Sequence, residues 1–109
     1  MAFATLDIAI ECLTALRKVL ELLRQHDRDL VGQLQRAATS VAMCLDEGRE
    51  RVGRDRPHLF RIAAGSAAEV DTGLRVALAW GFVTEGDVAQ ARALLDRVRA
   101  MIYRLLHRR

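Results

Sequence analysis

Val88, Ala91, Leu95, Val98, Ile102 and Leu105 follow one another at alternating steps of three and four residues. Only an α-helix brings such a series onto one side, as a narrow apolar seam that other helices must cover. Three interruptions, HDRD at 26–29, RVGRDRP at 51–57 and WGFVTEGD at 80–87, divide the chain into four stretches of this kind. Asp29 is placed to cap the second helix. Asp55, with Pro57 in the first turn, is placed to start the third. Gly81 can stop the third, and Thr84 with Asp87 can form a capping box for the fourth. Connections this short make consecutive helices antiparallel neighbours. The expected fold is therefore all-α, an antiparallel up-down-up-down four-helix bundle occupying residues 1–109 as one domain.

The first helix carries more apolar surface than one seam. Leu6, Ala9, Leu13, Leu16, Leu20 and Leu23 form one row, and Ile8, Cys12, Ala15, Val19 and Leu22 a second. At 100° per residue the two rows span an arc of about 200°. A corner helix of a lone bundle buries less, so the excess predicts a neighbouring subunit and a homo-oligomer.

The middle helices carry polar stripes. Arg36, Ser40, Met43 and Glu47 share one side of the second, and His58, Ile62, Gly65, Glu69 and Thr72 one side of the third. If these helices form a hairpin turning near Gly53, residues whose numbers add to about 107 lie side by side. Arg36 then faces Glu69 and Asp71, Ser40 faces Ser66, and Glu47 faces Arg61. The run AAGSAAE, 63–69, is thin enough for close helix contact, and the charges are expected to close into a structural network of Arg36, Ser40, Glu47, Arg61, Ser66 and Glu69, since an unpaired buried charge is costly.

The net charge of +3 is unevenly placed. Residues 1–80 are balanced at 11 basic and 11 acidic, whereas residues 81–109 hold 6 basic against 3 acidic, which puts the excess on the last helix and its RLLHRR end. Cys12 and Cys44 lie on apolar helix sides in no paired motif and read as buried reduced thiols. The start of the chain has no signal-peptide pattern and no stretch is apolar enough for a membrane span, so a cytoplasmic location is expected. Metal and catalytic patterns are weak. There is no Glu-x-x-His for a di-iron bundle, no ligand spacing for zinc and no phosphate loop after a strand. Arg51 with His58 straddles a turn, and Glu47 with Glu50 has no acidic counterpart on the third helix. No cofactor, metal or catalytic residue is expected.

QLQRAATSVAMCLDEGRE (33–50) followed by FRIAAGSAAEVDTGLRVALAWGFV (60–83) resembles the four-helix-bundle family of large-subunit (23S) ribosomal RNA intervening-sequence proteins. Gln33, Arg36, Ala37, Ala38, Ser40, Glu47, Gly48, Phe60, Ala63, Gly65, Ser66 and Glu69 fall on its pattern, as does the aromatic-Gly-aromatic turn of Trp80, Gly81 and Phe82. Ala42 and Cys44 stand where the family usually has Pro and Asn, and the first helix has fewer lysines and aromatics than its relatives. The resemblance implies a pentamer of four-helix protomers, with no established catalytic activity. A more distantly similar group, the accessory variability determinants of diversity-generating retroelements, implies a reverse transcriptase and nucleic acid as partners.

Two readings of function follow. In one, a non-catalytic oligomer meets the RNA or DNA backbone through Arg97, Arg104, Arg108 and Arg109 and the loop arginines Arg49, Arg51, Arg54 and Arg56. No aromatic residues interleave with these arginines to stack bases. In the other, the chain is a structural or adaptor oligomer that binds a protein partner, and the arginines only solvate its surface.

Overall fold

The computed structural model describes residues 3–108, and among these it contains four helices and no strand. They are α1 (Ala4–Arg24), α2 (Arg28–Glu50), α3 (Asp55–Ala79) and α4 (Glu85–Leu106). Helix α1 packs on α2 and α4, and α3 packs on α2 and α4, so each helix touches two others around a common core. The envelope is 43 × 22 × 21 Å. Its long dimension is close to that of α3, whose 25 residues at about 1.5 Å each give a rod of ~37 Å.

The helix ends lie within a few residues of the sequence breaks, but two caps differ from expectation. Asp27, not Asp29, caps α2, its carboxylate accepting from the Leu30 N–H at 3.0 Å. The chain is still extended at Asp27 and already helical at Asp29, so only Asp27 can aim its side chain at the open amides. Helix α3 has no side-chain cap, because Arg54 before it is already helical and Asp55 lies inside the first turn. The other signals act as read. Thr84 and Asp87 exchange both capping-box bonds, at 2.9 and 3.1 Å. Gly81, at φ +76°, lets the Phe82 N–H reach back to the Ala77 carbonyl and its own N–H to that of Leu78, which closes α3.

The α4 seam of Val88, Ala91, Leu95, Val98 and Ile102 is fully buried. It meets Leu16, Val19 and Leu23 of α1, Leu34 and Leu45 of α2, and Val70 and Leu74 of α3 in one cluster. The cavity between Cys12, Val41, Val70 and Val98 is about 10 Å³, roughly one water. That part of the core therefore has no room for a ligand. Burial pushes the Cys12 thiol up to about 11, and its Sγ donates to the Ala91 carbonyl at 3.6 Å. Cys44 is only half-buried, with Sγ 3.8 Å from the Ser40 hydroxyl.

Helices α2 and α3 pair in opposite senses and touch closely at two glycines. A Cβ on Gly48 would fall 2.6 Å from the Phe60 ring, and one on Gly73 would fall 2.4 Å from Leu34 Cδ2. Ser66 lies between these contacts and donates to Ser40 at 2.9 Å. The expected charged network does not form. Arg36, Glu47, Arg61 and Glu69 are all exposed, and among the described residues none has an ion pair or side-chain hydrogen bond. The reason is rotational. Ala37, Ala38 and Val41 face Ala63, Ala67 and Val70 inside, which leaves the polar stripes outside, where water satisfies each charge separately. Gly65 is on that outer side, with nothing within 4 Å of an added Cβ. Asp71 turns the other way, to Arg99 at 3.6 Å and Arg92 at 3.9 Å on α4.

The wide apolar arc of α1 is largely absorbed within the chain. Because α1 is flanked by both α2 and α4, Leu6, Ile8, Leu13, Ala15 and Leu20 are half-buried, and of the two rows only Leu22, 41% exposed, stands out. Larger exposed apolar residues are found elsewhere, among them Met43 at 57% and Trp80 at 70%.

Candidate nucleic-acid interface

One end of the molecule gathers three segments. The Phe3 ring, just before α1, lies 6.4 Å from that of Phe60 in the first turns of α3 and 5.6 Å from the Arg49 guanidinium near the end of α2. The last turns of α4 come to the same end, since Ala100, Tyr103 and Leu106 border Ala64 of α3. The loop arginines and the last arginines of α4, about 50 residues apart in sequence, therefore lie toward the same end of the bundle.

They are not equivalent there. Arg49 is half-buried, paired with Asp46 at 2.7 Å and near Glu50 at 3.6 Å, and its Nε has no hydrogen-bond acceptor. Arg56 donates to the Gly48 carbonyl at 3.3 Å and the Arg49 carbonyl at 3.2 Å, filling acceptors that the end of α2 leaves open. Both side chains are occupied by the fold, which corrects the expectation that they present free charge to phosphates. Arg51, Arg54, Arg104 and Arg108 are exposed and, among the described residues, have no ion pair. Arg97 is exposed too, but it borders the α1–α4 groove beside Glu11 and Lys18, away from that end. Arg109 lies outside the described residues.

Aromatic rings accompany these charges, contrary to the sequence reading. Tyr103, 61% exposed, stacks on His107 with centroids 3.8 Å apart and planes at 21°. The His107 Nδ1 lies 2.8 Å from the Tyr103 carbonyl oxygen. The signal was present as a four-residue spacing of Tyr and His beside Arg104 and Arg108. At the opposite end Phe82 stacks on His26, 4.8 Å and 6° apart, and meets Trp80 at 6.4 Å. No local spacing announces that group, because 54 residues separate His26 from Trp80.

The sequence model for 23S rRNA-intervening sequence proteins matches residues 4–104. The chain belongs to that family. A crystal structure of a protein of unknown function from the S23 ribosomal protein family of Bacteroides thetaiotaomicron superposes with a TM-score of 0.85. The two are 15% identical, and the match covers 94% of this chain and 98% of the other, a likeness of fold. No curated protein matches the sequence.

In this 23S rRNA-intervening sequence protein, no three His, Cys, Asp or Glu side chains among the described residues gather where they could hold a metal ion. None of the described helices is long and apolar enough to cross a membrane. Four guanidiniums with no ion pair among the described residues stand at the basic end, with Glu50 and Asp55 diluting their charge.

Proposed function

We propose that this 23S rRNA-intervening sequence protein is a non-catalytic, cytoplasmic, homo-oligomeric bundle of up-down-up-down connectivity. Its arginine-bearing end binds the phosphate backbone of RNA or DNA. The observation that carries the reading is the convergence of Arg51, Arg54, Arg104 and Arg108 on one end without ion-pair partners among the described residues. A ring of five protomers, the number implied by the family resemblance, would repeat the patch and multiply a modest field.

The test is light scattering of the purified protein, followed by titration of a labelled structured RNA at about 50 and 200 mM salt. Four phosphate contacts predict an affinity loss on the order of a hundredfold between those salts. An oligomer with that dependence supports the proposal, and one that ignores RNA at both salts overturns the nucleic-acid part.

A second reading, an adaptor for a protein partner such as a reverse transcriptase, draws on a different surface. Met43 of α2 and Ile62 and Val76 of α3 are exposed, and the same side carries the unpaired Arg36 and Glu69. Apolar residues edged by separate charges suit a protein contact. If RNA does not bind, this side is the next to substitute, with pull-down of a co-expressed partner as the readout.

A further inference from the structure

A shallow groove of about 400 Å³ crosses from α3 to α4, lined by Ala64, Arg99, Ala100, Tyr103 and Leu106. Two of its lining residues are alanines, and Arg99 and Tyr103 border it one helical turn apart on α4. Each of the latter is held by a neighbour: Asp71 of α3, itself only 18% exposed, holds Arg99 at 3.6 Å, and His107 stacks on Tyr103. The geometry points to a slot for an unpaired nucleobase, which lies flat on the Tyr103 ring with the Arg99 guanidinium beside it.

Three features favour a base over a generic apolar group. The Arg99 guanidinium and the Tyr103 ring are planar π systems, which accept a flat heterocycle on their faces with little regard to its identity. The two alanines leave space that larger side chains would fill. Exposed arginines with no ion pair among the described residues are close by in sequence: Arg104 follows Tyr103 directly, Arg108 is on the next turn, and Arg61 lies one turn before Ala64 on α3. A strand with a base in the slot thus has cations available to its phosphates. The inference rests on the proposed nucleic-acid reading and deepens it, from any backbone to strands with unstacked bases.

The test is fluorescence anisotropy at about 50 mM salt, with labelled oligo(U) and oligo(dT) twelve nucleotides long and length-matched abasic oligomers. Base stacking on one ring predicts that at least one base-bearing oligomer binds roughly tenfold or more tightly than its abasic counterpart. The arm with the larger excess identifies RNA or DNA as the source of the base. Tyr103→Ala brings that ratio to about one, and Tyr103→Phe restores it. Tyr103 is exposed, so both variants should melt with the parent. If base-bearing and abasic oligomers bind equally, or if Tyr103→Ala leaves the ratio intact, the slot is overturned while backbone binding stands. If neither kind of oligomer binds, the backbone reading fails as well.

Discussion

Gly65 and Gly73 lie two turns apart on α3 and should respond to the same substitution with opposite signs. Alanine in a helix interior is favoured over glycine by about 1 kcal/mol. At Gly65 nothing lies within 4 Å of the new methyl, so Gly65→Ala should realise most of that gain, raising Tm by about 4 °C for a domain of this size. At Gly73 the methyl would sit 2.4 Å from Leu34 Cδ2 and 3.0 Å from its Cγ. Leu34 is only 2% exposed and has nowhere to withdraw, so overpacking of about 1–3 kcal/mol outweighs the backbone gain. Gly73→Ala should therefore lower Tm by about 4 °C. The cause can be isolated by removing the obstacle. Leu34→Ala alone should cost about 2–5 kcal/mol, but in that background Gly73→Ala should become stabilising by about 1 kcal/mol. Thermal melts of the four proteins at one fixed concentration measure the coupling. Additive effects would refute the packing argument. A destabilising Gly65→Ala would mean that another surface covers the outer side of α3.

Further outcomes concern caps, charges and the buried thiol. Asp27→Ala and Thr84→Ala should each lose about 1 kcal/mol in denaturant unfolding, whereas Asp29→Ala should stay within about 0.5 kcal/mol of the parent. Arg56→Ala should lower stability by about 1 kcal/mol with little effect on RNA binding, while Arg51→Ala with Arg54→Ala should weaken RNA binding and leave the melt unchanged. Anisotropy and calorimetry on the same samples separate the single variant from the double one. The Cys12 thiol ordinarily ionises near 9 and in the fold near 11. Its contribution is full below pH 9 and is lost as pH rises toward 11, because the unfolded chain gives up the proton first. Comparing melts across that window with those of Cys12→Ala should show a steeper decline in the parent, and an identical slope would refute the assignment.

The four helices and their turns were legible because their signals are local and redundant. The α4 seam, the Thr84 capping box and the glycine after Trp80 each restate the same boundary. The α2–α3 register was legible too, since a hairpin with a short turn constrains which numbers meet, and Ser40 and Ser66 are within one residue of the expected pairing. Rotation of each helix about its axis was not legible. Glu69 and Asp71 are two residues apart, and a modest turn of α3 sends the first to water and the second to Arg92 and Arg99. The same rotation decides that Gly73, rather than Gly65, is the point of close approach. Arg49 and Arg56 were misread because occupancy by main-chain carbonyls and a phenylalanine ring depends on where the chain turns, which composition does not record. The aromatic groups were missed for two reasons: His26 and Phe82 meet only through the fold, and the RLLHRR end was read for its charge without Tyr103, the residue just before it.

The Cys12 bond to the Ala91 carbonyl joins residues 79 apart in sequence, whereas α2 and α3 meet across a short turn. That difference orders the assembly of the molecule. The α2–α3 hairpin closes a small loop and can form early, but α1 and α4 must find each other across most of the chain, at a larger loop-closure entropy. The seam between them should therefore be the last to zip and the first to part. Amide hydrogen exchange would read this as a lower opening free energy for α1 and α4 than for the hairpin. The bundle would then be a firm two-helix spine carrying two more loosely latched staves, with the basic α4 on the side that opens.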